Sequence, residues 1–506
     1  MRGDGPPAGR GPVPGRRTAA CALALAVAAG CSPTLLTRPG GDGGWSAERR
    51  SLELARRAAA GFVPADGAAT APPPAPAGPL SLPEAIALTR GANRRILEAE
   101  QRVDAAAARV RDARGRLLPD VTGSGRYTAY TDPQRVQTQL PAALLPAGAP
   151  DSLLIREQRV GQLNGTLTVP VDWTGELVQG LRAAQAGYRG ERARLWATTL
   201  AEQVAAVRGY FQLLQAEALR EVTRQTLAFQ RAQLANAEQR FTSGRLTKNE
   251  VLVVQVRLAN VEQEARRRDL GVDQARWSLN QVIGRAVDAP TTLLDVRTRP
   301  DLPDADSALH EAFAHNPVLV ALLEQQQRLD ATLAALERGW LPRLAGGGAI
   351  DWTSQQISMP QEFGSGFVGF TWDLGTDGRR AAQIAEAQSE VRSSKLALEG
   401  ELRELETAVR GTQRATGERL AALDAAHAAV GQAEENVRIR TQQFDAGRAT
   451  SEDVLDAEAL LAEQRAVLAT ALYQAHTRRA ELQQLIGLPV EPLAAATGAP
   501  AGSETR

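Results

Sequence analysis

Lysine occurs only at Lys248 and Lys395, cysteine only at Cys21 and Cys31, and histidine only four times in 506 residues. Each scarcity removes a class of function. With 58 basic and 58 acidic side chains the formal charge is zero, so no basic surface exists to displace counterions from a phosphate backbone. Nucleic acid drops out as a partner. His310, His315, His427 and His476 are scattered without metal-ligand spacing, and no HExxH, Walker A or G-x-S-x-G phrase occurs. The residues therefore point to no catalytic centre, metal or cofactor. Aromatics make up 4% of a chain that is 43% hydrophobic and 23% charged, which argues against several compact cores and for a helix-rich protein. Long apolar runs are missing as well. Beyond the N-terminus no segment approaches the roughly 18 apolar residues that a membrane-spanning helix needs, so any membrane crossing must use strands.

Near the N-terminus Arg16 and Arg17 precede "AACALALAVAAGC". An apolar run of about a dozen residues is too short to span a bilayer and fits an export signal over residues 1–30. Because Cys21 lies inside that run, the exported chain would keep one cysteine and no internal disulfide. Ala28-Ala29-Gly30-Cys31 resembles the bacterial lipobox, with alanine where leucine is commoner. That resemblance implies a diacylglycerol on Cys31, and Ser32 behind it permits delivery to the outer membrane. Residues 31–79, ending in "APPPAPAGP", read as a Pro/Gly/Ala-rich tether with little to bury.

From Leu80 onward the chain repeats its plan. "FTSGRLTKNEVLVVQ" from Phe241 returns as "FDAGRATSEDVLDAE" from Phe444, 203 residues later. The repeats occupy 80–284 and 306–487, with a linker at 285–305 and a tail at 488–506. Each opens with a helical segment holding Asn93 or Asn316 and stops at "LLPD" (117–120) or "WLPR" (340–343), 223 residues apart. Proline ends those helices because it lacks the donor N–H and biases its predecessor toward extended geometry.

A strand pair follows at 119–172 and at 343–374. Val121, Gly123, Gly125, Tyr127 and Ala129 alternate with Thr122, Ser124, Arg126 and Thr128. Leu163, Gly165, Leu167, Val169 and Val171 alternate with Gln162, Asn164, Thr166 and Thr168. The second copy is fainter. Such alternation marks a strand with lipid on one side and water on the other, and a half-buried hairpin of a soluble sheet would carry it too.

Proline-free stretches at 175–240 and 376–443 predict helices about 100 Å long. Leu200, Val204, Val207, Phe211, Leu214 and Ala218, and in the second copy Leu398, Leu402, Leu405 and Val409, follow a 4-3 spacing suited to side-by-side packing. Tips at 241–249 and 444–452 close these helices. Gly244 and Gly447 stand where a left-handed cap is wanted, Thr247 with Glu250 and Thr450 with Asp453 form capping boxes, and Phe241 and Phe444 are expected to be buried at the neck. Return helices run to "VIG" (282–284) and "LIG" (485–487), again 203 residues apart.

Four strands cannot close a membrane barrel, for which about eight is the minimum, and an open edge in hydrocarbon leaves backbone groups unpaired. Two chains would supply eight strands and three would supply twelve; the arithmetic leaves both open.

Together, the duplicated plan, the FxxGxxxxxxVL tips, the proline-ended first helices and the lipobox resemble the TolC-like outer-membrane channels of tripartite efflux pumps and type I secretion systems, over residues 80–490. The resemblance implies a mostly α fold with a small transmembrane β part: a homotrimer with a twelve-stranded β-barrel, four strands per chain, and a long α-helical barrel through the periplasm. It implies a non-enzymatic channel set in outer-membrane lipid, with a periplasmic adaptor protein and an inner-membrane transporter as partners. By the same resemblance Ser243, Gly244, Arg245 and Leu246, with Ala446, Gly447, Arg448 and Ala449, would meet the adaptor. Asp453 and Asp456 would form an acidic ring at a closed constriction, where mutual repulsion should raise some of their pKa values or recruit cations. A periplasmic coiled-coil adaptor or scaffold without a channel is the alternative that shares the long helices.

Overall fold

The structure is a computed structural model that describes residues 78–137, 152–244, 247–358, 360–374, 378–446 and 448–489. The export signal, Cys31 and the tether up to residue 77 lie outside the described residues, as do Arg245, Leu246 and Gly447 of the tips.

Two runs of elements follow the same order. The first comprises α1 (Leu82–Ala92), α2 (Arg94–Gly115), β1 (Asp120–Ala129), β2 (Gln134–Gln137), β3 (Ser152–Arg156), β4 (Arg159–Val171), α3 (Glu176–Thr242) and α4 (Lys248–Val282). The second comprises α5 (Ala305–His315), α6 (Pro317–Arg338), β5 (Arg343–Thr353), β6 (Glu362–Thr371), α7 (Arg379–Asp445) and α8 (Ser451–Ile486). With 67 residues each, α3 and α7 extend about 100 Å.

The four long strands form one antiparallel sheet in the order β1-β4-β5-β6, while β2 and β3 form a separate small pair. Sequence pattern alone placed a single strand pair in 119–172. The extra pair escaped it because β2 is four residues of "QRVQ" with an irregular register at Gln134/Arg135, too short to show alternation. The helices repeat the strand order. Toward the sheet the packed neighbours run α2-α3-α6-α7, and toward the tips they run α4-α3-α8-α7. The two repeats thus meet along α3, which packs on α6 toward the sheet and on α8 toward the tips, while α7 packs within its own repeat.

Leu200, Val204, Val207, Phe211 and Leu214 are buried along α3, and Leu398, Leu402, Leu405 and Val409 along α7, as their spacing predicts. Two clusters result: one joins α1, α3, α4 and α8 around Tyr210 and Phe211, the other joins α5, α6, α7 and α8 around Leu402 and Leu482.

The paired landmarks prove to be two copies of one clamp. Asn93 caps α2, its Oδ1 accepting from Arg95 N at 2.9 Å, while its Nδ2 donates to the Val282 carbonyl at 2.9 Å. Asn316 caps α6 in the same way, accepting from Val318 N at 2.8 Å and donating to the Leu485 carbonyl at 2.9 Å. Each asparagine therefore finishes one helix and satisfies the last turn of another. Just beyond those turns Gly284 and Gly487 take φ of 74° and 86°, and a Cβ on Gly487 would lie 2.2 Å from the His315 carbonyl oxygen. Only glycine meets both the dihedral and the space.

His476 of α8 is 2% exposed and stacks on Phe211 with ring centroids 4.6 Å apart. Burial, with the nearby Arg479 guanidinium adding to it, pushes its pKa down to about 4. The unfolded chain, with histidine at its ordinary value, binds the extra proton first. Stability from this site is complete above about pH 6.5 and is lost as pH falls toward 4, by up to about 3 kcal/mol. His476→Phe should flatten the fall in thermal midpoint across that window; an unchanged fall would assign it to other groups. Asn316→Ala should cost about 1–3 kcal/mol by removing a cap and orphaning a buried carbonyl, read as a lowered thermal midpoint, with Gly487→Ala at least as damaging.

Candidate functional site

Cross-strand partners share a face, so the register sorts the sheet into two sides. Val121, Leu167, Val169, Ile350, Val368 and Phe370 belong to one; Thr122, Ser124, Asn164, Thr166, Thr168 and Asp351 belong to the other. Nothing among the described residues covers the apolar side, on which Val368 is 90% and Phe370 68% exposed. A soluble half-buried hairpin would hide this row against a helix. On the polar side Asn164 donates to Asp351 Oδ1 at 2.6 Å and accepts from Thr166 Oγ1 at 2.9 Å, so the row is tied together by its own side chains. Among the described residues β1 and β6 have no partner along their outer edges. No helix there is long and apolar enough to cross a membrane.

Where the strands give way to helices stand three tryptophans that the sequence pattern did not single out. Trp173 Nε1 donates to the Pro342 carbonyl at 2.9 Å, and Trp372 Nε1 donates to the Trp340 carbonyl at 3.0 Å. Trp340 and Trp372 meet edge-to-face at 6.3 Å. Trp173 and Trp372 thereby satisfy their polar ends, and all three rings stay exposed, the arrangement suited to a lipid–water boundary. The signal available in the sequence was their placement beside the ends of the alternating runs.

At the opposite ends of α3 and α7 lie the tips. Ser243 ends α3 with its Oγ donating to the Arg240 carbonyl at 2.9 Å, and Gly244 follows with φ of 76°. The Thr247–Glu250 capping box then opens α4, with Thr247 N donating to Glu250 at 2.7 Å. Ala446 caps α7, Arg448 N donates back to the Gln443 carbonyl at 2.8 Å, and the Thr450–Asp453 box opens α8. Ser243, Gly244, Ala446 and Arg448 are exposed and Ala449 half-buried, so both turns are open to a partner. Phe241 is not buried at the neck: it is 43% exposed among the described residues. Phe444 is half-buried, with the Arg240 guanidinium 5.2 Å from its ring centroid.

Membership can now be stated. A sequence model of outer membrane efflux proteins matches residues 85–285 and again 308–488, once on each repeat. The chain belongs to the outer membrane efflux protein family. It is a protein of the bacterial outer membrane, and its fold is that of the family's channels. The Vibrio cholerae outer membrane protein VceC superposes with a TM-score of 0.67 at 18% identity, over 81% of this chain and 97% of that one. The Campylobacter jejuni CmeC outer membrane channel gives 0.69 at 15% identity, over 80% and 85%. The open state of the Neisseria gonorrhoeae MtrE channel gives 0.65 at 16%, over 81% and 90%. No curated protein matches by sequence.

Within this family fold the two tips of one chain touch each other. Arg257 of α4 pairs with Glu452 of α8 at 3.3 Å, and a cleft of about 320 Å³ opens between them, lined by Ala237, Arg240, Val254 and Phe444. Asp453 and Asp456 stand one turn apart on α8. In the single chain, hydrogen bonds from the Thr450 side chain and then its backbone hold the Asp453 carboxyl below its ordinary value. Asp453 is thus already engaged as a cap. Asp456 is exposed and has no such duty.

Proposed function

We propose that three copies of this chain assemble into the outer-membrane exit duct of a tripartite efflux or type I secretion system, conducting cargo passively from an inner-membrane transporter and a periplasmic adaptor. The observation that carries this reading is a four-stranded sheet with a bare apolar face, a polar face and two unpaired edges, continuous with two helices about 100 Å long. Pairing β6 of one copy with β1 of the next closes twelve strands into a barrel, and the helix order carries the same closure down to the tips. A coiled-coil scaffold would share α3 and α7 but would leave the apolar sheet face without a purpose.

In the trimer Asp453 and Asp456 bring six carboxylates toward the axis and narrow the passage, while the exposed turns around Gly244 and Arg448 receive the adaptor. Purified protein reconstituted in a planar bilayer should give ion conductance that rises in the Asp453→Asn, Asp456→Asn double variant; an unchanged conductance would leave Asp453 with its capping role alone. Arg448→Glu should reduce cross-linking of the tips to the adaptor by about tenfold, since the reversed charge faces the incoming hairpin, with conductance unchanged. Undiminished cross-linking would remove that turn from the contact.

A further inference from the structure

One strand breaks the two-sided pattern of the sheet. Phe363 and Phe367 of β6 fall on the polar face, Phe363 opposite Asp351 and Phe367 opposite Gly347. They are 52% and 40% exposed, on the side where β1 and β4 present threonine, serine and asparagine. Phe367 has a bed of a kind: a Cβ on Gly347 would lie 3.0 Å from its Cζ, so the ring leans across the glycine. Phe363 stands half exposed opposite Asp351, and an aromatic ring held in water gains nothing from the fold itself.

Each ring shares its cross-strand row with a carboxylate. Asp351 lies beside Phe363, whereas the row of Phe367 runs through Gly347 and Thr168 and reaches Asp120 only three strands away, about 14 Å at the usual strand spacing. Of the arginines on this face, Arg343 is bound twice by Glu176, at 2.7 and 3.0 Å, and Arg126 stands in the row beyond Asp351, opposite Gln162. Aromatic faces attract cations through the ring quadrupole, and a neighbouring carboxylate adds charge of the right sign. We propose that Phe363, beside Asp351, and Phe367, four residues along the same strand and face, form a track on the bore wall that binds lipophilic organic cations on their way out. The proposal rests on the channel reading, in which the polar face lines the bore.

The test is block of bilayer current through the reconstituted full-length protein by tetraphenylphosphonium. Phe363→Leu, Phe367→Leu keeps an apolar side chain over Gly347 while removing both ring faces, and should raise the half-blocking concentration about fivefold or more. Asp351→Asn, which keeps an oxygen acceptor for Asn164, should raise it too. Tetraphenylborate, of the same shape and opposite charge, should need at least about tenfold more than tetraphenylphosphonium. An unchanged half-blocking concentration in the double leucine variant, or equal block by the two ions, would overturn the track. Normal salt conductance in the variants confines that failure to this inference, whereas a wild-type protein with no conductance would overturn the channel reading and the track together.

Discussion

An antiparallel sheet whose edges end in hydrocarbon cannot stand alone. β1 and β6 are ten residues each, and alternate residues of an edge strand turn both backbone groups outward, leaving about ten unpaired groups on each side. At several kcal/mol apiece in lipid, the two edges together represent tens of kcal/mol, more than a domain's whole net stability. That demand governs the rest of the architecture. The edges can be satisfied only by another strand, the strand must come from another copy, and a contact joining β6 to β1 is head-to-tail, which closes into a ring. The helices inherit the same neighbours because they run in the same order as the strands.

Duplication explains why one chain supplies so much of such a ring with so little variety of sequence. The asparagine clamps at Asn93 and Asn316 fasten the end of each return helix to the break between the first two helices of its repeat, so each repeat is tied at mid-length by the same hydrogen bond. Where the copies differ, the differences are local. Glu202 on α3 accepts from Asn93 Nδ2 at 2.9 Å and pairs with Arg95 at 3.0 Å, whereas its counterpart 203 residues on is the apolar Leu405. The second tip carries the extra acid Asp456, and the second hairpin is rich in glycine and phenylalanine. Two nearly equal halves thereby present chemically unequal surfaces.

Most of the scaffold was legible because it is written in short-range periodicity. The spacing of Leu200 to Leu214, the alternation of Val121 to Ala129, and the Thr247–Glu250 and Thr450–Asp453 boxes each depend on residues within a turn or a strand. What escaped depends on pairing at long range. The asparagines stood out as landmarks, but their partners lie 189 and 169 residues away. Phe363, Phe367, Val368 and Phe370 read as one blurred apolar run until the register with β5 divides them between two faces. Phe241, expected at the buried neck of its tip, is 43% exposed, because recurrence in a repeated phrase does not say what a side chain packs on.

The central claim is that closure needs several copies, and the mass of the detergent-solubilised full-length protein, measured by native mass spectrometry, tests it most directly. Three copies of the chain in the particle is the predicted result. A monomer that stays folded in water without detergent, with its sheet content intact, would contradict the account.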